Sequence, residues 1–392
     1  MTKDVVIVSA ARTPIGSFCG SLSGLKAHDL GSIVIQEVLK RASVDPSEVS
    51  EVVLGQALTA GEGQNPARQA AVKAGLPYSV PAYLINLLCG SGIKTVVAGC
   101  QALQLGDAKI CVCGGQESMS QAPHYTHLRG GVKLGNSSLV DHMLNDGLTD
   151  AFFNIHMGET AENLATQYAI SREEQDKYVV ESQRRTAIAQ KEGHFKKEIV
   201  PVHVKSSSGD KMVSEDEYPR PGTTLEGLAK LEPRFVKGGT VTAGNASGMN
   251  DGAAAVLLMM SEEAKKRGLS PLARIVAYAI AGCDPKIMGF GPVPAVKLVL
   301  EKAGWSKDDV DLYELNEAYA SQSLVNLREL GVDPAKVNVS GGAISLGHPI
   351  AASGTRVLVT LLYALQRTGG KRGVASLCIG GGMGIALAVQ RD

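Results

Sequence analysis

Short runs of apolar residues alternate along the chain with longer segments in which apolar positions recur at helical spacing. This pattern predicts buried strands over residues 5–8, 52–55 and 110–113, and helices over residues 30–41 and 93–105. Strands that alternate with helices are typical of a sheet whose faces are covered by helices. The sequence therefore predicts an α/β fold.

The second half of the chain repeats the first. Residues 91–104 align without gaps on residues 353–366, and six of the fourteen positions are identical. In both halves this predicted helix leads to a strand that ends in glycines, at Gly115 in the first half and at Gly380 in the second. We therefore predict two duplicated α/β halves related by a pseudo-twofold axis.

A long insertion is predicted in the first half. The strand that follows the glycines at once in the second half, over residues 385–390, has its counterpart only at residues 253–260 in the first. The segment between them, over residues of about 118–248, is richer in charge, proline and histidine and lacks strongly apolar runs. It contains a helix signal, because Ser171 and Glu174 stand at the capping positions of a predicted helix over residues 171–192.

Cys89 stands where a predicted strand meets the helix that begins near residue 93. A thiol there faces unpaired N–H groups and the positive end of the helix dipole, and both favour the thiolate. Gly90 and Gly92 would let a ligand approach closely. For a single cysteine the alternative is a buried, inert thiol. The repeat favours a nucleophile, because the equivalent turn of the second half holds His348 and equivalent turns face each other in a duplicated fold.

Two further candidate groups follow predicted strands. Cys378 lies at the carboxyl end of a strand, where open α/β sheets form their sites, and the glycines after it offer N–H groups to an oxyanion. Asn316 and Glu317 follow the predicted strand over residues 312–315, and an amide there can orient a water molecule or a carbonyl group. The alternatives are a small core residue for Cys378 and a solvated polar pair for Asn316 and Glu317.

Composition narrows the functional classes. Thirty-nine basic residues balance thirty-nine acidic ones, so no overall field favours nucleic acid or an anionic membrane as a partner. The seven cysteines are an odd number without a Cys-x-x-Cys pair, and we expect neither a disulfide framework nor a zinc site. The apolar runs are too short to span a bilayer and no leader pattern precedes the first strand, so we expect a cytoplasmic protein.

The motifs of this chain resemble those of the thiolase family over essentially its whole length. The segments that carry the resemblance are residues 86–92, 114–120, 245–248, 316–318, 341–349 and 378–382. The resemblance implies the thiolase fold, in which two duplicated α/β halves form a five-layered αβαβα sandwich with an inserted loop domain. It divides the chain into a first half (1–118 with 249–270), a loop domain (119–248) and a second half (271–392).

The resemblance also implies a role for each candidate group. Cys89 attacks an acyl-CoA thioester and becomes acetylated, and Cys378 is the acid/base that takes the α-proton from the second acetyl-CoA. His348, with a water molecule held by Asn316, forms the oxyanion hole for the enolate oxygen. The backbone N–H groups of Cys89 and Gly380 form the other hole. A thioester exchange followed by a Claisen step needs such a nucleophile, base and oxyanion donors.

The implied substrate contacts lie mostly in the loop domain. Arg220 would meet the nucleotide phosphate of CoA with Thr223 nearby, and Ser247 and Ala243 would line the pantetheine tunnel. The residues expected around the acyl group are Leu148, His156, Met157, Met288, Ala318 and Tyr319. The implied ligands are acetyl-CoA, acetoacetyl-CoA and CoA, and we expect no metal and no cofactor beyond these thioesters.

Within the family the chain most resembles the short-chain biosynthetic branch of the cytosolic type, which reversibly condenses two acetyl-CoA to acetoacetyl-CoA and CoA. In the family the loop over residues of about 120–140 assembles tetramers, so we expect a homotetramer. Three residues depart from the usual pattern, because Ala351 replaces glycine, Tyr319 replaces phenylalanine and Gln116 replaces methionine. These departures bear on the acyl pocket and on the rate, and not on the reaction class.

Alternative functions stay open. A degradative 3-ketoacyl-CoA thiolase for longer chains is the nearest alternative, and Met288 as a pocket-filling residue argues against it. A decarboxylating ketoacyl synthase shares the duplicated fold but would have histidine or asparagine in place of Cys378. A CoA-binding or redox-sensing protein without turnover belongs to a different class. The joint presence of Cys89, His348, Cys378 and Asn316 argues against that last alternative.

Overall fold

A computed structural model describes residues 4–205 and 209–392. Its strands are β1 (Val5–Arg12), β2 (Gly16–Ser17), β3 (Glu51–Gly55), β4 (Ala82–Ile85), β5 (Ile110–Ser118), β6 (His124–Tyr125), β7 (Val140–Asp141), β8 (Val202–Val204), β9 (Lys211–Val213), β10 (Asn250–Met260), β11 (Ala273–Gly282), β12 (Leu312–Leu315), β13 (Arg372–Ile379) and β14 (Met383–Gln390). Its α-helices are α1 (Ala27–Ala42), α2 (Pro66–Lys73), α3 (Ser91–Leu105), α4 (Met157–Gln167), α5 (Arg172–Lys191), α6 (Leu225–Ala229), α7 (Ser261–Lys266), α8 (Pro292–Ala303), α9 (Ala320–Leu330), α10 (Ala343–Leu346) and α11 (Ser353–Thr368).

The large strands form two similar half-sheets. In the first half the order is β4-β3-β5-β10-β1, and in the second it is β12-β13-β14-β11. Within each half the early strands run parallel, and the last strands are antiparallel additions. The two half-sheets meet where β1 pairs with β11 over two residue pairs. The duplication predicted from the sequence is thus present in the order and direction of the strands.

Helices α3 and α11 form the central layer of the molecule. They pack against each other and against strands of both half-sheets, and one continuous apolar core surrounds them. Helices α1 and α2 cover the outer face of the first half-sheet, and α8 and α9 cover that of the second. The layers are therefore helix, sheet, helix, sheet and helix, and the predicted five-layered thiolase fold is confirmed.

Glycine at the start of each central helix allows the two halves to approach. A side-chain Cβ on Gly92 would lie 2.4 Å from the backbone nitrogen of Thr355, and one on Gly354 would lie 2.5 Å from that of Ile93. Neither site has room for a side chain, so backbone contact requires the repeated glycine at both positions. This contact brings together the turns that precede α3 and α11, which hold Cys89 and His348.

Strand β5 differs from its prediction. It does not end at its two glycines but continues to Ser118, because it pairs with β10 from Asp251 to Met259. A Cβ on Gly114 would lie 2.3 Å from the carbonyl oxygen of Ala254, so the glycines allow close packing inside the strand rather than ending it.

Apart from the helices α4 and α5, the elements between β5 and β10 are short. The predicted helix over residues 171–192 is confirmed as α5, where Ser171 Oγ accepts the N–H of Glu174 and the carboxylate of Glu174 accepts the N–H of Ser171. The assignment of residues 119–248 to a separate loop domain stays a prediction. No helix in residues 4–205 and 209–392 is long and apolar enough to cross a membrane.

Candidate active site

A cavity of about 1000 Å³ opens between the short elements after β5 and the carboxyl ends of the sheets. Cys89, His348 and Gly380 form part of its wall. The predicted substrate contacts that line it are Arg220, Ser247, Ala243, Leu148, His156, Met157, Met288, Ala318 and Tyr319. Thr223 does not line it; its hydroxyl donates to the carbonyl oxygen of Arg220 at 2.8 Å, on the neighbouring surface.

The turn that carries Cys89 is held in a strained conformation by its neighbours. Leu88, directly before Cys89, has a positive φ of 45°, a left-handed conformation that non-glycine residues rarely adopt. The side chain of Asn86 accepts the N–H of Leu88 at 3.0 Å, and Ser91 Oγ donates to the carbonyl oxygen of Leu88 at 2.7 Å. These bonds aim the thiol into the cavity at the start of α3.

The turn that carries His348 is fixed from β10. Gly347 has a φ of 104°, and a Cβ on it would lie 2.4 Å from the side chain of Asn250, so glycine is required there. Asn250 Oδ1 accepts the N–H of His348 at 2.9 Å, and its Nδ2 donates to the carbonyl oxygen of Gly16 at 2.9 Å. These bonds fix the backbone of His348 and therefore the point from which its imidazole extends.

Ser353 determines which nitrogen of His348 carries the proton. Its hydroxyl donates to the carbonyl oxygen of Pro349 at 3.0 Å and has no second proton to give. His348 Nδ1 lies 2.5 Å from the same oxygen, so Nδ1–H is the donor of that bond. The other nitrogen, Nε2, keeps its lone pair and faces the Cys89 thiol at 3.2 Å. The predicted proximity of Cys89 and His348 is confirmed, in the arrangement that lets the imidazole accept the thiol proton.

Burial keeps both groups neutral in the resting site. It raises the pKa of Cys89 to about 12, although the N–H groups of Cys89 and Gly380 point at the sulfur and lower the pKa. Burial, helped by the positive charge of Arg356, lowers the pKa of His348 to about 3. The helix terminus and its N–H groups were expected to favour the thiolate, but desolvation outweighs them, and the pKa of Cys89 lies above its usual value.

We expect the alkylation of Cys89 by iodoacetamide to rise about tenfold per pH unit between about pH 7 and about pH 10 without levelling off. The reason is that the reactive thiolate is a small fraction of a thiol whose pKa is about 12. Peptide mass spectrometry would follow Cys89 in a Cys19→Ser background, since Cys19 is exposed. A plateau near about pH 8 would contradict the neutral resting pair.

Asn316 and Cys378 lie behind the wall of the cavity. The Asn316 amide is 1% exposed, its Nδ2 lies 3.5 Å from His348 Nδ1, and its Oδ1 has no partner among the described residues. Cys378 is fully buried at the end of β13, in an apolar cluster with Met157, Met288 and Tyr319. Burial and the nearby Cys89 raise the pKa of Cys378 well above its usual value.

The three departures from the family pattern have distinct surroundings. The Gln116 amide is fully buried and donates to Gln56 Oε1 at 2.8 Å. Ala351 is fully buried, and its carbonyl oxygen packs where Gly115 has no side chain. Tyr319 lines the cavity and packs edge-on against Phe235, with ring centroids 6.4 Å apart. Only Tyr319 is in a position to contact a substrate.

Sequence reasoning missed Ser353, Asn250 and Glu117. The repeat contained a signal for Ser353, because it aligns with Ser91 and each serine bonds within the turn before its helix. Asn250 and Glu117 had none, since their partners lie far away in the chain. Glu117 Oε2 accepts the N–H of Ala351, 234 residues away.

Comparison with known proteins identifies the thiolase family, which the sequence motifs already indicated, over nearly the whole chain. The family described as "Thiolase, N-terminal domain" matches residues 5–263, and "Thiolase, C-terminal domain" matches residues 269–391. The chain is 59% identical over 389 residues to "Acetyl-CoA acetyltransferase, cytosolic" of Rattus norvegicus, covering 99% of this chain and 98% of the relative. It is 58% identical over 391 residues to "Acetyl-CoA acetyltransferase" of Paracoccus denitrificans, covering all of both.

Two solved structures of related enzymes superimpose closely on this chain. The acetyl-CoA acetyltransferase of Bacillus anthracis superimposes with a TM-score of 0.97 at 46% identity, covering 99% of this chain and 98% of that one. Human mitochondrial 3-ketoacyl-CoA thiolase gives a TM-score of 0.97 at 46% identity, covering 100% and 99%. With its duplicated fold, its two matching domains and relatives of this identity, the chain belongs to the thiolase family.

Proposed function

We propose that this chain is an acetyl-CoA acetyltransferase, which reversibly condenses two acetyl-CoA to acetoacetyl-CoA and CoA through an S-acetyl group on Cys89. The contact of 3.2 Å between Cys89 Sγ and His348 Nε2, at the wall of a cavity large enough for a CoA thioester, carries this proposal. Full-length relatives of nearly 60% identity that are named acetyl-CoA acetyltransferase support it.

The proposed reaction begins with acetyl transfer. Cys89 Sγ attacks the thioester carbonyl as its proton passes to His348 Nε2, and the carbonyl oxygen meets the N–H groups of Cys89 and Gly380. The CoA thiolate leaves and takes a proton from Cys378, whose high pKa makes it a thiol at rest. The products are S-acetyl-Cys89, free CoA, an imidazolium at His348 and a thiolate at Cys378.

The condensation then uses the two groups left charged. The Cys378 thiolate removes the α-proton of the second acetyl-CoA, and the His348 imidazolium, with Asn316, stabilises the enolate oxygen. The enolate carbon attacks the acetyl carbonyl, and Cys89 leaves and recovers its proton from His348. Both thiols end protonated, Cys89 with the proton returned by His348 and Cys378 with the α-proton of the second acetyl-CoA. Each oxyanion donor would supply roughly 3 kcal/mol.

Arg220 is the proposed contact for the CoA phosphates. It lies at the wall of the cavity, is exposed, and its guanidinium lies over the Tyr218 ring at 5.6 Å. Among the described residues no carboxylate forms an ion pair with it, whereas Arg184 and Arg267 both have one. A free guanidinium at the edge of an apolar cavity suits an anionic group.

We expect the purified protein to cleave acetoacetyl-CoA with CoA and to lose kcat/KM by about 100-fold or more on a 3-ketoacyl-CoA of eight carbons. Met288, Met157 and Tyr319 line the cavity and pack in one apolar cluster with Cys378, where large side chains would restrict the length of the acyl group. Steady-state cleavage of both thioesters would measure this. Equal rates on the two would favour the degradative 3-ketoacyl-CoA thiolase instead.

We further propose a cytoplasmic homotetramer. The segment over residues 120–140 exposes several large apolar side chains, and Leu134 is 95% exposed. Such a surface fits contact with other copies of the chain.

The proposed cytoplasmic location is based on the relatives that are named cytosolic. The division into residues 1–118 with 249–270, 119–248 and 271–392 is also a proposal, which the strand order of the two halves supports.

A further inference from the structure

Glu117 is a fully buried carboxylate that bonds to both halves of the molecule. It lies on β5 outside the wall of the cavity, and the reaction proposed above assigns it no step. From the first half it accepts the N–H groups of Ala57 and Leu58, both at 3.1 Å. From the second half it accepts the N–H of Ala351 at 3.0 Å, three residues after His348.

A chain of contacts continues from Glu117 to Cys89. The carbonyl oxygen of Ala57 accepts from Asn86 Nδ2 at 3.5 Å, and Asn86 Oδ1 holds the N–H of Leu88 at 3.0 Å. Ala57 and Ala351 also belong to one apolar cluster against which Leu88 and Cys89 pack. Hydrogen bonds therefore connect the carboxylate to the turn of His348 and, through Ala57 and Asn86, to the turn of Cys89.

Two buried amides fix the loop that supplies donors to Glu117. Gln116 Nε2 donates to Gln56 Oε1 at 2.8 Å, and Gln56 Nε2 donates to the carbonyl oxygen of Leu58 at 2.8 Å. Both glutamines are fully buried. The unusual Gln116 is thus part of the support for this loop, next to the residue that joins the halves.

The carboxylate is kept in spite of a cost. Burial raises the pKa of Glu117 to about 7, and the three backbone N–H groups lower it only in part. Replacement of a buried charged group by an apolar side chain that packs equally well is often neutral or stabilising. Its value then lies in the geometry that it imposes on its donors.

We propose that Glu117 is a positioning residue, which holds the His348 turn against the Cys89 turn and so sets the geometry for proton transfer between Sγ and Nε2. This inference rests on the proposed function, because it concerns the step in which Cys89 loses its proton. A shift of about 1 Å between reacting groups can lower a rate by about 100-fold.

The test is Glu117→Gln, which keeps the volume but replaces one acceptor oxygen by an N–H₂ group. Because an N–H₂ group accepts no hydrogen bond, the three N–H donors of Ala57, Leu58 and Ala351 can no longer all be satisfied. We expect kcat for the cleavage of acetoacetyl-CoA to fall about 10- to 100-fold and KM for CoA to stay within about twofold, since the wall of the cavity is unchanged. The solvent deuterium isotope effect on acetylation of Cys89 should increase, because proton transfer becomes slower.

Glu198→Gln is the matched control. Glu198 is also buried, but it bonds to Arg12 and Thr360, neither of which lines the cavity. This variant should lower the melting temperature and leave kcat and the isotope effect at their wild-type values. A purely structural role for Glu117 would give the same result as this control.

An unchanged kcat in folded Glu117→Gln would overturn the inference, and so would a fall in kcat without a change in the isotope effect. If Glu117→Gln does not fold, kcat and the isotope effect are measured on Glu117→Asp instead. This variant keeps the charge but carries it on a shorter side chain. A lowered kcat with a larger isotope effect supports the inference there, and wild-type values overturn it. A folded wild type without any cleavage would instead remove the proposed function, and this inference with it.

Discussion

Cys89→Ala should lower the CoA-dependent cleavage of acetoacetyl-CoA by about 10⁴-fold or more. The variant lacks the only sulfur that both lines the cavity and faces an imidazole nitrogen among the described residues. Removal of the nucleophile leaves binding and oxyanion donors, which cannot form the acetyl-enzyme. Cleavage would be followed by the loss of the acetoacetyl-CoA absorbance.

Cys100→Ala is the control for this substitution. Cys100 lies on the same helix, α3, but is buried in the central core. We expect this variant to keep cleavage within about twofold while it loses about 1 kcal/mol of stability. If Cys89→Ala kept more than about a tenth of the wild-type rate, Cys89 would not be the nucleophile.

Cys378→Ser should separate the two steps of the reaction. Acetyl transfer from acetyl-CoA to Cys89 should survive, since a CoA thiolate can leave without a strong acid. Condensation and cleavage should fall by about 10³-fold, because the serine hydroxyl is far too weak an acid to provide a base at neutral pH. Labelling with acetyl-CoA and steady-state cleavage would be measured on the same preparation.

Cys283→Ser is the control for the second cysteine. Cys283 lies near Cys378, and burial raises its pKa to about 11, but it lies outside the apolar cluster in which Cys378 packs against Met157, Met288 and Tyr319. Its replacement should leave both steps close to wild type. If Cys378→Ser lost labelling and cleavage to the same extent, the division of labour between the two cysteines would be wrong.

The repeat made much of the fold and the core of the site predictable. Gly92 and Gly354 align with each other in the repeat, and both must be glycine because each packs against the backbone of the opposite helix. Once the two helices are known to be equivalent, the turns before them must lie side by side. The proximity of Cys89 and His348 follows from that symmetry.

The protonation state of the site was not predictable in the same way. The sequence shows the helix that begins after Cys89 but not the depth at which the thiol is buried, and burial decides the sign of its pKa shift. The tautomer of His348 depends on a single hydroxyl bond from Ser353 to Pro349. Such balances depend on distances in the folded protein.

Contacts between remote segments were the other failure. Glu117 stands in a recognised motif, but its donors come from residues 57–58 and 351. Spacing along the chain shows where a residue lies in a motif and not what it bonds to.

The central claim is that Cys89 carries the acetyl group between the two half-reactions. The most direct measurement is the intact mass of the protein after brief mixing with acetyl-CoA, for the wild type, Cys89→Ala and Cys378→Ser. We predict one acetyl group on the wild type, one on Cys378→Ser and none on Cys89→Ala, with CoA removing the label from the wild type. An acetyl group on Cys89→Ala, or none on a folded wild type, would contradict the account.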